Sequence, residues 1–86
     1  MTTVKHVLAF LDDMAANTTL STPTQSVIRR ARKQLKKTSH KNISQTVNKI
    51  KSDIEYLETD EEVLPTELTE LWQVSHMLEQ IQEDNL

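Results

Sequence analysis

The 86-residue chain is 36% hydrophobic and 27% charged, carries a formal net charge of −3, and contains neither glycine nor cysteine. That length holds one domain with one small core. The missing cysteines exclude disulfides and thiolate chemistry, and the missing glycines argue against phosphate-cradling loops, dinucleotide-binding turns and tight β-hairpins.

Helices remain, and the apolar periodicity supplies them. Val4, Val7, Leu8, Leu11, Met14 and Ala15 recur at three- and four-residue steps, which predicts a first helix over residues 3–16. Asn17 follows as the expected left-handed cap in place of a glycine. A second helix is signalled by Thr22 as N-cap, Pro23 in the first helical position and Gln25 closing a capping box. Its apolar stripe is Val27, Ile28, Ala31 and Leu35, and it ends near Lys37, where cations suit the negative end of the helix dipole.

A third helix is expected after Asn42, which with Gln45 resembles another capping box. Ile43, Val47, Ile50, Ile54 and Leu57 alternate steps of four and three, the seam of a left-handed bundle. An acidic link over residues 58–64 then reaches Pro65, a residue suited to a first helical turn. The fourth helix carries Leu68, Leu71, Trp72, Val74, Leu78 and Ile81 on a broad face, with Trp72 read as core, and the tail beyond Gln82 is expected to fray. The chain also echoes itself: Leu11-Asp12 leads through Thr19-Leu20 to Pro23-Thr24, and Leu57-Glu58 leads through Val63-Leu64 to Pro65-Thr66. Two helical hairpins with short links imply an all-α, antiparallel four-helix bundle spanning residues 1–86. The alternative is a three-helix core with a loosely attached first helix.

Charge is segregated along the chain. Residues 29–51 hold nine of the ten lysines and arginines and no acid, whereas residues 52–86 hold eleven of the thirteen acids and no lysine or arginine. On the second helix, Arg29, Arg30, Arg32, Lys33, Lys36 and Lys37 lie opposite the apolar stripe, and Lys41 follows in the next link. Such a face is either plainly solvated or matched to the acidic fourth helix, within the molecule or across a dimer, or else it fits a nucleic-acid backbone. No aromatic interleaves the cluster and no base-reading motif accompanies it, which favours the first fit.

Catalytic chemistry finds no support. His6, His40 and His76 are dispersed, no Glu-x-x-His motif of a carboxylate-bridged metal bundle occurs, and His76 with Glu79 reads as a surface pair. Asp12-Asp13 and Glu61-Glu62 are adjacent acids that diverge on a helix. No serine or threonine sits in a nucleophile elbow, which requires glycine. The expectation is therefore no enzyme, no cofactor, no metal and no small-molecule substrate.

No apolar run approaches the roughly 20 residues of a membrane span, and the N-terminal residues lack the apolar stretch of a secretion signal. The expected compartment is the cytoplasm, and the glycosylation triplets Asn17-Thr18-Thr19 and Asn42-Ile43-Ser44 read as chance matches. With Phe10, Tyr56 and Trp72 as the only aromatics, a core this small rarely leaves more than ~3–5 kcal/mol of net stability. A non-catalytic protein-interaction module, possible as a homodimer, is the leading functional expectation. A nucleic-acid-binding helical domain using the basic face of residues 29–51 is the alternative.

Several short stretches resemble a known family. They are Leu11-Asp12-Asp13, then Thr18-Thr19-Leu20 and Pro23, then Ile28-Arg29-Arg30-Ala31, and finally Leu71-Trp72-Gln73-Val74-Ser75-His76-Met77-Leu78-Glu79. Together they are similar to the short archaeal proteins grouped as uncharacterised protein family (UPF) 0147. Ser21-Thr22 stands as an insertion before Pro23, and residues 58–64 lack the Asn-Asp-Pro of the family's second connection. The resemblance implies a compact helical bundle and transfers no activity, because that family has no established function.

Overall fold

The computed structural model describes residues 3–17, 19–39 and 41–84. They form four helices: α1 (Val4–Ala15), α2 (Thr22–Lys37), α3 (Ile43–Leu57) and α4 (Pro65–Asp84). Each helix packs against two neighbours in the ring α1–α2–α3–α4, which closes with α4 on α1. Cross-helix bonds fix the antiparallel sense of the α3/α4 hairpin. Trp72 Nε1 donates to Glu58 Oε1 at 2.8 Å, Lys51 Nζ meets Glu79 Oε1 at 2.9 Å, and Gln82 Nε2 donates to Ser44 Oγ and Asn48 Oδ1 at 3.0 Å. As one helix ascends in number the other descends. The result is the antiparallel four-helix bundle, 35 × 23 × 20 Å, its long axis close to the ~30 Å expected of the 20-residue α4.

The core is the set of seams facing the bundle axis. Val7, Leu11 and Met14 come from α1; Val27, Ile28, Ala31 and Leu35 from α2; Ile43, Val47, Ile50, Ile54 and Leu57 from α3; Leu71, Val74, Leu78 and Ile81 from α4. Leu20 and Val63 plug the two hairpin links. Val7 and Leu11 are completely enclosed, so α1 is an integral wall of the bundle and the loosely attached first helix is corrected.

Several local expectations are also corrected. Among the described residues no backbone φ is positive, and α1 ends on Ala16 in the right-handed region. Asn17 is instead an Asx turn, its Oδ1 accepting from Thr19 N at 3.0 Å and Thr19 Oγ1 at 2.6 Å. The capping box lies at α1 rather than α2: the Thr3 side chain accepts from His6 N, and His6 Nδ1 accepts from Thr3 N. At α2 the N-cap is Ser21, Pro23 falls one residue further in, and Gln25 Nε2 donates to Leu20 O at 2.7 Å instead of closing a box. Asn42 does precede α3, but its side chain makes no cap bond. Helical order continues past Gln82 through Asp84, and residues 85 and 86 of the tail expected to fray lie outside the described residues.

Trp72 is the largest departure. It is 51% exposed, because the inner seam of α4 runs Glu67, Leu71, Val74, Leu78, Ile81 in strict steps of four and three. Trp72 lies one position past Leu71 and is rotated about 100° away from the axis.

Glu67 is the exception that sets this register. It is 3% exposed, one of two buried polar side chains among the described residues, and the other is Thr24 beside it. Its carboxylate accepts from Leu64 N at 2.6 Å, which caps its own helix from the third position. The other oxygen accepts from Ser21 N at 2.5 Å, the N-cap amide of α2. One carboxylate thus closes the starts of two helices that face each other across the bundle diagonal. Burial raises its pKa, but the Leu64 and Ser21 amides together with the Ser21 and Thr24 hydroxyls outweigh that, and the pKa lies below the usual 4.5.

Candidate interaction surfaces

The basic cluster stays outside the core. Arg29, Arg30, Lys33, Lys36 and Lys37 are exposed on α2, Lys41 is exposed in the following link, and Lys49 is exposed on α3. None of these seven makes an ion pair among the described residues; Arg32 and Lys51 do. Arg32 turns toward α1, where its Nε lies 2.7 Å from Asp12 Oδ1, off the N–H axis, so that the contact is Coulombic rather than a well-aligned hydrogen bond. The acidic fourth helix does not cover this face: α2 packs on α1 and α3, and α4 stands across the diagonal. Helical order explains the segregation. The stripe Thr24, Ile28, Ala31, Leu35 takes the inner positions, and the cations occupy the remaining arc.

Between α2 and α3 the basic face dips into a cleft of about 320 Å³ lined by Gln34, Lys37, Thr38, Asn42, Gln45, Thr46 and Lys49. Thr38 Oγ1 and Thr46 Oγ1 share a hydrogen bond at 2.9 Å across it. Gln34 Oε1 is buried and has no hydrogen-bond partner among the described residues. Asp53, the acid next along α3, pairs with none of these cations.

The opposite side of the ring, where α4 meets α1, carries a different surface. Phe10, Thr69, Trp72, Gln73, His76 and Met77 line an open groove of about 460 Å³. Phe10 and Met77 pack against the core from its floor, and Trp72 forms a wall held by the bond to Glu58. No lining residue is an acid, a lysine or an arginine. Sequence reasoning missed this groove because Trp72 was assigned to the core. The available signal was the four-three spacing of Leu71, Val74, Leu78 and Ile81, which runs back to Glu67 and leaves Trp72 outside.

The other side chains weighed for chemistry remain apart. His6 serves the α1 cap, His76 Nε2 lies 3.5 Å from Gln80 Nε2, and His40 lies outside the described residues. Glu79 pairs with Lys51 rather than with His76; that hydrogen bond and the Lys51 charge, with a small contribution from His76, lower its pKa. Asp12 turns to Arg32, and Asp60 Oδ1 accepts from Glu62 N at 2.9 Å. Among the described residues no three His, Asp or Glu side chains gather as a metal site. No helix among them is long and apolar enough to cross a membrane.

Fold and surfaces together define the class, an all-α four-helix bundle with a free basic face on one side and, on the other, an aromatic groove without acids, lysines or arginines. The chain matches no protein-family model, no curated protein and no solved structure.

Proposed function

We propose that the protein is a non-catalytic interaction module that pairs with a second copy of itself through the α1/α4 groove. The carrying observation is Trp72, a half-exposed tryptophan standing beside an apolar groove in a chain whose surface is otherwise strongly charged. Tryptophan and methionine are the side chains that protein interfaces favour and charged residues are those they deplete. A two-fold pairing places each face against its own copy, so an uncharged patch can meet itself, whereas the α2 face would repel its twin. In that pairing Trp72 of each copy lies over the partner's Phe10 and Met77. Affiliation with the archaeal family is proposed on the same footing, from the stretches that resemble it, and adds no activity.

Trp72 is the only tryptophan in the chain, so its fluorescence reports on the groove directly. Concentrating the protein should shift the emission to shorter wavelength in step with a doubling of mass in light scattering. Trp72→Ala should weaken the dimer by at least about 30-fold, the effect of a central interface residue. Tyr56→Ala, at an exposed position outside the groove, should leave it intact. A strict monomer at every concentration, with constant emission, overturns the reading.

A further inference from the structure

We propose that the α2 face and its cleft with α3 form a second, separate docking surface, for the sugar–phosphate backbone of nucleic acid. Seven cations without ion partners among the described residues, Arg29, Arg30, Lys33, Lys36, Lys37, Lys41 and Lys49, occupy one side of the molecule. Cations three or four residues apart on a helix stand about 5–6 Å from one another, comparable to the spacing of successive phosphates. The overall charge of −3 hides this concentration, because the balancing acids lie on α1, the C-terminal end of α3, the α3/α4 link and α4.

Two other polyanionic partners fit less well. An acidic protein interface needs an apolar or aromatic anchor for its energy, and the cleft offers none: between Lys37 and Lys49 its lining is Gln34, Thr38, Asn42, Gln45 and Thr46. An anionic membrane is flat and rewards apolar insertion, whereas the lysines here flank a recess whose polar lining a bilayer cannot enter. A nucleic-acid strand can. Gln34 lines the cleft, its carbonyl oxygen is buried without a donor among the described residues, and a ribose hydroxyl supplies one when the side chain turns outward. Lys37 and Lys49 stand on the two sides of that cleft, positioned for the flanking phosphates. No aromatic lines the cleft, so stacking contributes nothing there, and contact is with backbone rather than base faces. Binding is therefore largely independent of sequence, and a duplex binds at least as well as a single strand. Because this surface and the Trp72 groove lie on opposite sides of the ring, both can be occupied together.

The test is a titration of the full chain against labelled duplex and single-stranded RNA and DNA, with phosphatidylserine vesicles and polyglutamate as competing polyanions. If five phosphates are neutralised on a duplex, raising salt from about 50 to 200 mM should weaken binding roughly 500-fold. Lys33→Glu combined with Lys37→Glu should abolish binding while circular dichroism stays unchanged and the thermal midpoint falls by no more than a few degrees, the cost of an acid at the C-terminal end of α2. Gln34→Leu should weaken binding severalfold without altering the salt slope. Trp72→Ala should bind like the parent, which separates this proposal from the dimer: either can fail alone. Absence of nucleic-acid binding at low salt, tighter binding to vesicles or polyglutamate, or an unchanged affinity in the double reversal overturns it.

Discussion

Replacing Glu67 with alanine should cost on the order of 3 kcal/mol, the largest loss expected from any polar side chain in the bundle. Hydrogen bonds to an ionised acceptor contribute about 1.5–3 kcal/mol each. This carboxylate takes one from Leu64 N and one from Ser21 N. Alanine leaves the starts of α2 and α4 open at once and leaves Thr24, itself fully enclosed, beside a void. Glu67→Gln should fall between the two, because an amide oxygen can accept from one amide while its NH₂ opposes the other. The acid limb of stability separates these variants further. The folded pKa of Glu67 lies below 4.5, so its ionisation stabilises the fold at all pH values above about 4.5. That contribution is lost as pH falls through the lower, folded value, since the unfolded chain then binds the proton first. Urea unfolding at pH 7, 4.5 and 3 should show a steep decline for the parent and a shallower one for Glu67→Gln. Equal slopes would mean that the carboxylate is not the group being titrated.

Leu78→Ala should be comparably severe for a different reason. Leu78 is completely enclosed on the inner seam of α4, and removing such a side chain costs about 2–5 kcal/mol through lost burial and the cavity left behind. Since a core this small leaves only ~3–5 kcal/mol in total, a large fraction of Leu78→Ala should be unfolded at 37 °C. Trp72→Ala, a larger truncation six residues earlier, should change the urea midpoint of the monomer far less. The pair therefore tests the register of α4 with two substitutions. A large loss at Trp72 and a small one at Leu78 would require the helix to be rotated.

These two helix positions also mark how far the sequence could be read. The seam of α3 was fully legible because Ile43, Val47, Ile50, Ile54 and Leu57 are all apolar and all turn inward. The seam of α4 was blurred at its start, where the inward position is held by a glutamate. A reading that seeks apolar residues passes over Glu67 and recruits Leu68 and Trp72 to complete the face. Leu68 is only partly buried and Trp72 lies half outside. Cap chemistry was misplaced for a related reason. Thr-x-x-Gln at Thr22 has the right letters, but the donor that needs satisfying at α2 is met from residue 67, forty-six positions away. No local motif encodes a partner at that distance. Charge segregation, by contrast, was plain from the chain itself; its release from α4 depended on the order of helices around the ring.

The shared carboxylate has one more consequence, for how the molecule opens. The α1/α2 and α3/α4 pairs pack more extensively than α2/α3 or α1/α4, so the natural line of separation runs between the two hairpins. Glu67 straddles that line, with one oxygen committed to each hairpin. The amides of Ser21 and Leu64 lie outside regular helix, where hydrogen exchange is ordinarily fast. Here the Ser21 amide should exchange at a rate set by the parting of the two hairpins, whereas the Leu64 amide, held from within its own helix, should report local opening of α4. A slow Ser21 amide in an otherwise fast connection would thus act as a built-in gauge of whether the bundle opens as halves or unfolds as one.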